Sequence, residues 1–326
     1  MAAKIRLPVD GYVLAIVLTA ATAAVIPARG AVADGLSQAI VAIIALLFFL
    51  YGARLSPQAA WAGAKHWRLH LVVVLATFAM FPLLGLALMP LVPQVIPTQL
   101  YVGIIFLCAL PSTVQSSIAF TSIARGNVAA AICSASLSSL LGIIITPLLV
   151  GLLLQSEGNV QISASSIEKI VLQLLVPFLV GQLSRPLTAR WVERQKRLLS
   201  YVDRGSILLV VYAAFSEGMV SGMWQQLEWL DLGMLLIVCC ALLAVALSLT
   251  TLTARLFRFN KEDEITIVFC GSKKSLATGL PMATVLFAGG SVSLAVLPLM
   301  LFHQIQLMVC AALARRYAKR PEVAEG

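Results

Sequence analysis

The sequence predicts an all-α polytopic membrane protein of ten transmembrane helices, arranged as two inverted five-helix repeats. Three observations carry that prediction: the composition, the one-sided placement of Lys and Arg, and a matching pair of polar breaks in the fourth and ninth apolar runs. Hydrophobic types make up 60% of the 326 residues and charged types 11%. Soluble globular chains hold roughly 45–50% and about 25% of these. The mean hydropathy is +0.97. Each bilayer crossing takes about 20 predominantly apolar residues, and runs of near that length recur along the chain. A soluble enzyme, a secreted disulfide scaffold and a disordered chain are excluded.

The ten runs are 11–27, 35–53, 69–92, 99–124, 128–154, 166–184, 202–223, 230–254, 264–288 and 292–314. The first follows Lys4 and Arg6 and precedes Ala31-Val32-Ala33, which resembles a signal cleavage site. Its apolar part exceeds the usual 7–15 residues of a signal peptide, and Arg29 separates it from the small residues, so it reads as a retained span. The longest connection, Ser184 to Asp203, is strongly basic. Trp61, Trp67, Trp191, Trp224 and Trp229 all fall at span ends, where interfacial anchoring accounts for them. The six cysteines lie inside apolar runs without metal or redox spacing and read as small hydrophobic filler.

The net charge of +9 raises the question of nucleic acid, but the basic residues sit in short segments between apolar runs, as cytoplasmic loops do. With the N-terminus inside, 19 of the 23 Lys and Arg residues fall on the cytoplasmic side, among them Arg54, Lys65, Arg125, Arg185, Arg194, Arg255 and Arg320. Only Arg29 and Lys169 fall opposite. Both termini are therefore expected in the cytoplasm of a plasma membrane, the inner membrane if the chain is bacterial, with the Asn159 and Trp229 loops outside.

The last two cations, Lys273 and Lys274, lie within the ninth run, in Gly271-Ser272-Lys273-Lys274-Ser275, ahead of Gly279 and Pro281. The fourth run is interrupted by Pro111-Ser112-Thr113-Val114-Gln115-Ser116-Ser117. Proline removes a helix hydrogen bond, and glycine and polar side chains favour unwinding. Irregular backbone at membrane depth persists only inside protein or along a wet cavity. Val114 and Lys273 stand 159 residues apart, close to the 163 between Leu69 and Leu232 at the third and eighth runs. A five-span repeat is odd-numbered, so the second half, about 166–316, must enter from the other side relative to the first, about 9–154. The whole chain forms one transporter domain on this reading. Paired interrupted spans point to a binding site near the midplane.

At these residues the sequence resembles the bile acid:sodium symporter superfamily, most closely its SBF-like branch of bacterial symporters and vertebrate family-member-seven proteins. The resemblance rests on the 111–117 run, Ala124-Arg125-Gly126-Asn127, Phe269-Cys270-Gly271-Ser272-Lys273-Lys274-Ser275-Leu276-Ala277 and Phe302-His303-Gln304-Ile305-Gln306. It implies that spans 1, 2, 6 and 7 form a panel and spans 3–5 and 8–10 a core where the broken helices cross. Substrate would bind between them, with alternating access. The superfamily's Na⁺-coupled members resemble Glu-x-Gly-x-Gln-Asn in the ninth span. Aligned on Gly271, this chain has Phe269 for the glutamate and Lys273 and Lys274 for the amide pair. Ser116 and Ser117 match a Ser-Asn pair, and two hydroxyl positions of the fifth span fall on Ala131 and Ala135. The departures predict transport without the usual Na⁺ sites, a tethered ammonium standing where sodium would be, and leave H⁺ as a coupling ion. The alternative that the resemblance implies is an Na⁺-coupled symporter of bile-acid-type organic anions.

The expected substrate- and ion-binding residues are Ser112, Thr113, Gln115, Ser116 and Ser117 opposite Ser272, Lys273, Lys274 and Ser275. Three further residues join them: Glu217 on the seventh span as a panel-side contact, and His303 with Gln304 on the tenth as part of a polar network. His66 and His70 carry no signal. No Walker loop supplies nucleotide energy, and no metal or other cofactor motif is present. An intramembrane enzyme drawn from Ser272, Lys273 and His303 lacks any supporting motif, and a channel would show a repeated pore ring. The expected partner is a small solute, an amphipathic organic anion by resemblance, within the lipid bilayer and without nucleic acid. The sequence leaves the oligomeric state open.

Overall fold

The computed structural model of the protein describes residues 11–54, 66–155, 171–220, 222, 228–287 and 292–320. Lys4, Arg6, Trp61, Lys65, Asn159, Lys169 and Trp224 lie outside the described residues. All secondary structure among the described residues is helical. The order is α1 (Gly11–Val25), α2 (Ala31–Arg54), α3 (Trp67–Leu75), a π-helical turn (Ala76–Met80), α4 (Phe81–Leu86), α5 (Thr98–Ala109), α6 (Gln115–Ile123) and α7 (Val128–Gln155). A second π-helical turn (Val171–Leu175) leads into α8 (Val176–Arg194). Then follow α9 (Lys196–Val220), α10 (Trp229–Leu256), α11 (Lys261–Gly271), α12 (Leu276–Leu286) and α13 (Val292–Ala318). Six helical stretches are long and apolar enough to cross a bilayer, and Leu14–Val25 and Thr98–Ala109 are shorter apolar helices. This is a multi-pass membrane protein.

Both polar runs break their helices where the sequence places the breaks. α5 ends at Ala109 and α6 starts at Gln115, while α11 ends at Gly271 and α12 starts at Leu276. The basic segment after Ser184 differs from expectation. It is helical, with α8 continuing to Arg194 and only Gln195 separating it from α9. Arg, Leu, Ala, Glu and Gln all favour helix, and their sum outweighs Pro186, which lies inside α8.

The helices pack in two groups. α2 lies against α8 and α9, and α1 against α9. The α2–α8 contact is made backbone to backbone: a side chain on Gly52 would strike the Phe178 carbonyl, and one on Gly181 the Phe49 carbonyl. Two Phe-x-x-Gly segments thus supply each other's clearance, the close approach that small residues permit between membrane helices. In the second group α5 packs on α13, α10 on α11 and α13, and α3, α5, α6 and α11 on α7. α9 bridges the groups through α12 and α13.

Two turns at one end of the second group share a design. α6 closes with Gly126 N–H to Thr121 O (2.8 Å) and α10 with Phe259 N–H to Ala254 O (3.0 Å), both Schellman closures. The left-handed position is held by Arg125 (φ 55°) and Arg258 (φ 56°) rather than glycine. Each is followed by an asparagine that opens the next helix: Asn127 accepts from Ala130 N–H and Asn260 from Asp263 N–H. The turns are tied together by Asn127 Nδ2 donating to Asp263 (2.9 Å) and Arg320 donating to Glu262 (2.8 Å) and to the Arg125 carbonyl (2.6 Å).

Candidate functional site

A helix that stops inside a membrane leaves carbonyls without donors at its C-terminal end. In this protein each broken helix supplies donors for the other. α5 and the break after it run through Cys108, Ala109, Leu110 and Pro111. The ammonium of Lys274 donates to Cys108 O (2.8 Å) and Leu110 O (2.7 Å), Thr146 Oγ1 to Ala109 O (2.8 Å), and Ser275 N–H to Pro111 O (2.9 Å). α11 ends on Phe269 and Cys270, whose carbonyls accept from Ser117 Oγ (3.0 Å) and Ser112 Oγ (2.5 Å). Apart from Thr146, which lies on α7, the donors come from the opposite break.

Lys274 has a third acceptor, Thr77 O at 2.8 Å, and its origin lies in the π turn. Phe81 N–H donates to Ala76 O, one residue further back than in an α-helix. The next donor in that register is residue 82, a proline without an N–H. Thr77 O is therefore released and turned to Lys274. An ammonium has three donors, and all three of Lys274 are used, with the Phe81 ring beneath at 4.2 Å. Its own backbone is clamped by Gln306, which accepts from Lys274 N–H (2.9 Å) and donates to Lys274 O (2.8 Å).

Lys273 is equally buried, at 0% exposure, but differently engaged. Its Nζ makes one long hydrogen bond, 3.3 Å to Ser116 Oγ, and lies 4.5 Å from the centre of the Phe120 ring and 5.8 Å from that of Phe269. Two of its donors have no acceptor among the described residues. Ser116 donates in turn to Thr113 Oγ1 (2.8 Å), which shares a hydrogen bond with Ser117 (3.1 Å). No carboxylate among the described residues pairs with either lysine.

Of the expected residues, Ser112, Thr113, Ser116, Ser117, Lys273, Lys274 and Ser275 are thus brought together. Ser272 turns its hydroxyl back to Val268 O (2.6 Å) and only shapes the end of α11. Ser275 caps α12 through Thr278 N–H. His303 reaches the site at one remove, its Nδ1 2.9 Å from Gln306 Nε2. Gln304 takes no part; Gln306 does, because three residues on from His303 is the same helix face and one residue on is not. Glu217 is exposed on α9 and is a partner of neither lysine. Gln115 lines a cavity of about 430 Å³ beside the first break, together with Arg54, Arg185 and Glu193. The sequence marked those arginines only as loop charges.

His70 was also without signal in the sequence. It is buried in α3, with Nδ1 2.6 Å from Ser134 Oγ on α7. Ala131 and Ala135 are fully buried and bring no side-chain oxygen.

The family model of the SBF-like CPA transporter family matches residues 10–319. An Escherichia coli (strain K12) protein named "Putative symporter YfeH" is 52% identical over 313 residues, covering 96% of this chain and 94% of its own. The Pseudomonas aeruginosa protein PA2026 is 60% identical over 311 residues, 95% of this chain and 93% of its own. Mouse sodium/bile acid cotransporter 7 is 30% identical over 277 residues, 83% of this chain and 80% of its own. The chain belongs to the SBF-like CPA transporter family: it is a membrane transporter, not an enzyme.

Proposed function

We propose that the protein is a secondary active transporter that moves an organic anion or another small solute by alternating access, without the sodium sites of its sodium-coupled relatives. The observation that carries this reading is the unequal engagement of two neighbouring buried lysines. Lys274 is saturated by the carbonyls of Thr77, Cys108 and Leu110. Such carbonyls at broken helix ends are what hold Na⁺ in transporters of this kind, and a fixed ammonium among them leaves a mobile cation little to bind. Lys273 retains donors and faces Ser116, so a substrate's anionic group has a cation to meet. Proton release by a buried lysine is the coupling step this arrangement favours.

The proposed architecture is one domain of ten spans in two inverted repeats, about 9–154 and 166–316, with both termini cytoplasmic in the plasma membrane. It is supported by the two helix groups, α1, α2, α8 and α9 against the rest. The first group would be the panel, and the cavity of Arg54, Gln115 and Arg185 would be the solute's path between panel and core. Gathering Arg125, Arg255, Lys261 and Arg320 around Glu262 and Glu264 at one end agrees with the one-sided charge.

The test is uptake of labelled organic anions into proteoliposomes under an imposed pH gradient, with Na⁺ replaced by K⁺. Uptake that persists without Na⁺ and responds to the pH gradient supports the reading. A strict Na⁺ requirement with no response to pH refutes it.

A further inference from the structure

Between the third helical stretch and α10 runs a groove of about 700 Å³. One wall is a single stripe spaced three and four residues apart along α3, the π turn and α4: Arg68, Leu75, Ala76, Ala79 and Leu83 among others. The other wall is a similar stripe on α10, from Leu249 and Thr250 to Phe257. From Trp67 to Leu84 the groove extends roughly 25 Å at 1.5 Å per residue, most of the depth of a hydrocarbon core of about 30 Å. Ala76 and Ala79 make it deep, since larger side chains there would fill it.

The walls are apolar, but the mouth is not. Trp67 and Phe257 stand exposed there. Arg68 sits over the Phe259 ring at 5.6 Å and is exposed, as is Arg258, the residue before that ring. Arg255 nearby is occupied by Glu264 at 3.6 Å, whereas no ion pair joins Arg68 to a carboxylate among the described residues. A guanidinium over an aromatic ring and beside an interfacial tryptophan, above a slot of acyl-chain proportions, matches a negatively charged lipid headgroup.

We propose that this groove is a binding site for one anionic phospholipid, its acyl chain lying along Leu75, Ala79 and Leu83 and its phosphate held by Arg68. Charge complementarity at the mouth selects such a lipid over a zwitterionic one. The chain would rest against the π turn, on the far side of the Thr77 carbonyl that holds Lys274, and so support the turn from the lipid side. The site stands independently of what the protein transports.

Native mass spectrometry of the purified chain tests it, with phosphatidylglycerol or phosphatidylcholine added in equal amounts. One phosphatidylglycerol should be retained with a preference of at least about tenfold, equivalent to 1.4 kcal/mol. Arg68→Gln, at an exposed position, should abolish the preference but leave chain binding. Ala79→Trp should abolish both, and a melting curve checks that each variant is folded. Three results overturn the proposal: equal retention of the two lipids, a preference that survives Arg68→Gln, or retention that survives Ala79→Trp in folded protein. A dimer peak abolished by Ala79→Trp also overturns it, since the groove then seats a second copy.

Discussion

The ammonium nitrogen of Lys274 lies 2.7 Å from the carbonyl oxygen of Leu110, a residue 164 positions earlier in the chain. This bond links the end of α5 to the break between α11 and α12. It puts a positive charge, fixed to the protein, where the negative ends of peptide dipoles converge. The cost of burying that charge is offset by three short hydrogen bonds and the face of Phe81.

The two lysines should therefore fail differently. Lys274→Ala strands three buried carbonyls at about 1–3 kcal/mol each, while also removing the desolvation penalty of the charge. The carbonyls remain buried whatever replaces the lysine, so destabilisation wins. The apparent melting temperature in detergent should fall by several degrees. Lys273→Ala removes one 3.3 Å bond and two ring contacts, so its melting temperature should stay near wild type while uptake is lost. Equal melting temperatures for the two variants would contradict the division of roles.

Ser116 and Ser117 are adjacent but do different work. Ser117 is fully buried and donates to the Phe269 carbonyl. Ser116 contacts Lys273 and Thr113 and is half-buried. Ser117→Ala should lower thermal stability by about 1–3 kcal/mol, the usual cost of an acceptor left unsatisfied. Ser116→Ala should leave melting unchanged and reduce uptake. Both variants should insert normally. Wild-type uptake in Ser116→Ala would make the fourth-span break purely structural.

The breaks were legible in the sequence because polar residues in an apolar run have few explanations. Lys273 and Lys274 in particular are too costly at membrane depth to be incidental. Their unequal roles follow from the π turn, and its one sequence signal is Pro82, a residue that membrane helices commonly tolerate. Gln306 was within reach of helical periodicity, which puts it, and not Gln304, on the face of His303. His70 sits near the start of α3 among residues that read equally as a span end, and only packing against Ser134 shows that it is buried. Arg54 and Arg185 obey the charge bias so well that their joint position on a cavity left no separate trace. The helical run through the 184–203 segment was hidden by its polarity, since charge argues against membrane but not against helix.

The α2–α8 contact depends on two glycines whose hydrogens face carbonyl oxygens of the partner helix. Adding even a methyl group at Gly181 forces the backbones apart, because the obstacle is the Phe49 carbonyl and not a side chain that can rotate. Gly181→Leu should separate the helices and lower stability by several kcal/mol, in the range of severe overpacking. Expression, gel-filtration profile and melting should all deteriorate. Gly205→Leu, where a side chain meets open space, is the control and should behave as wild type. Equal behaviour of the two variants would show that the helices can shift without cost.

Lys274 also makes a prediction about sodium in its own absence. Thr77 O, Cys108 O and Leu110 O converge within 2.8 Å of its nitrogen, and removing the side chain leaves three oxygens and the space of an ammonium. Carbonyls at broken helix ends attract small cations. In Lys274→Ala the cheapest way to satisfy them is to bind one. Wild-type protein should melt at the same temperature in matched NaCl and KCl, because the position is already filled by a cation. Lys274→Ala should be stabilised by NaCl over KCl, recovering part of its loss by the mass-action shift that any native-state ligand gives. Ala131 and Ala135 bring no side-chain oxygen to help hold the ion, so the recovery should be incomplete and should need high salt. Lys274→Arg, which keeps the charge, should show no sodium response. If wild type is stabilised by sodium as strongly as Lys274→Ala, the ammonium is not standing in for the ion, and the protein binds sodium at another place.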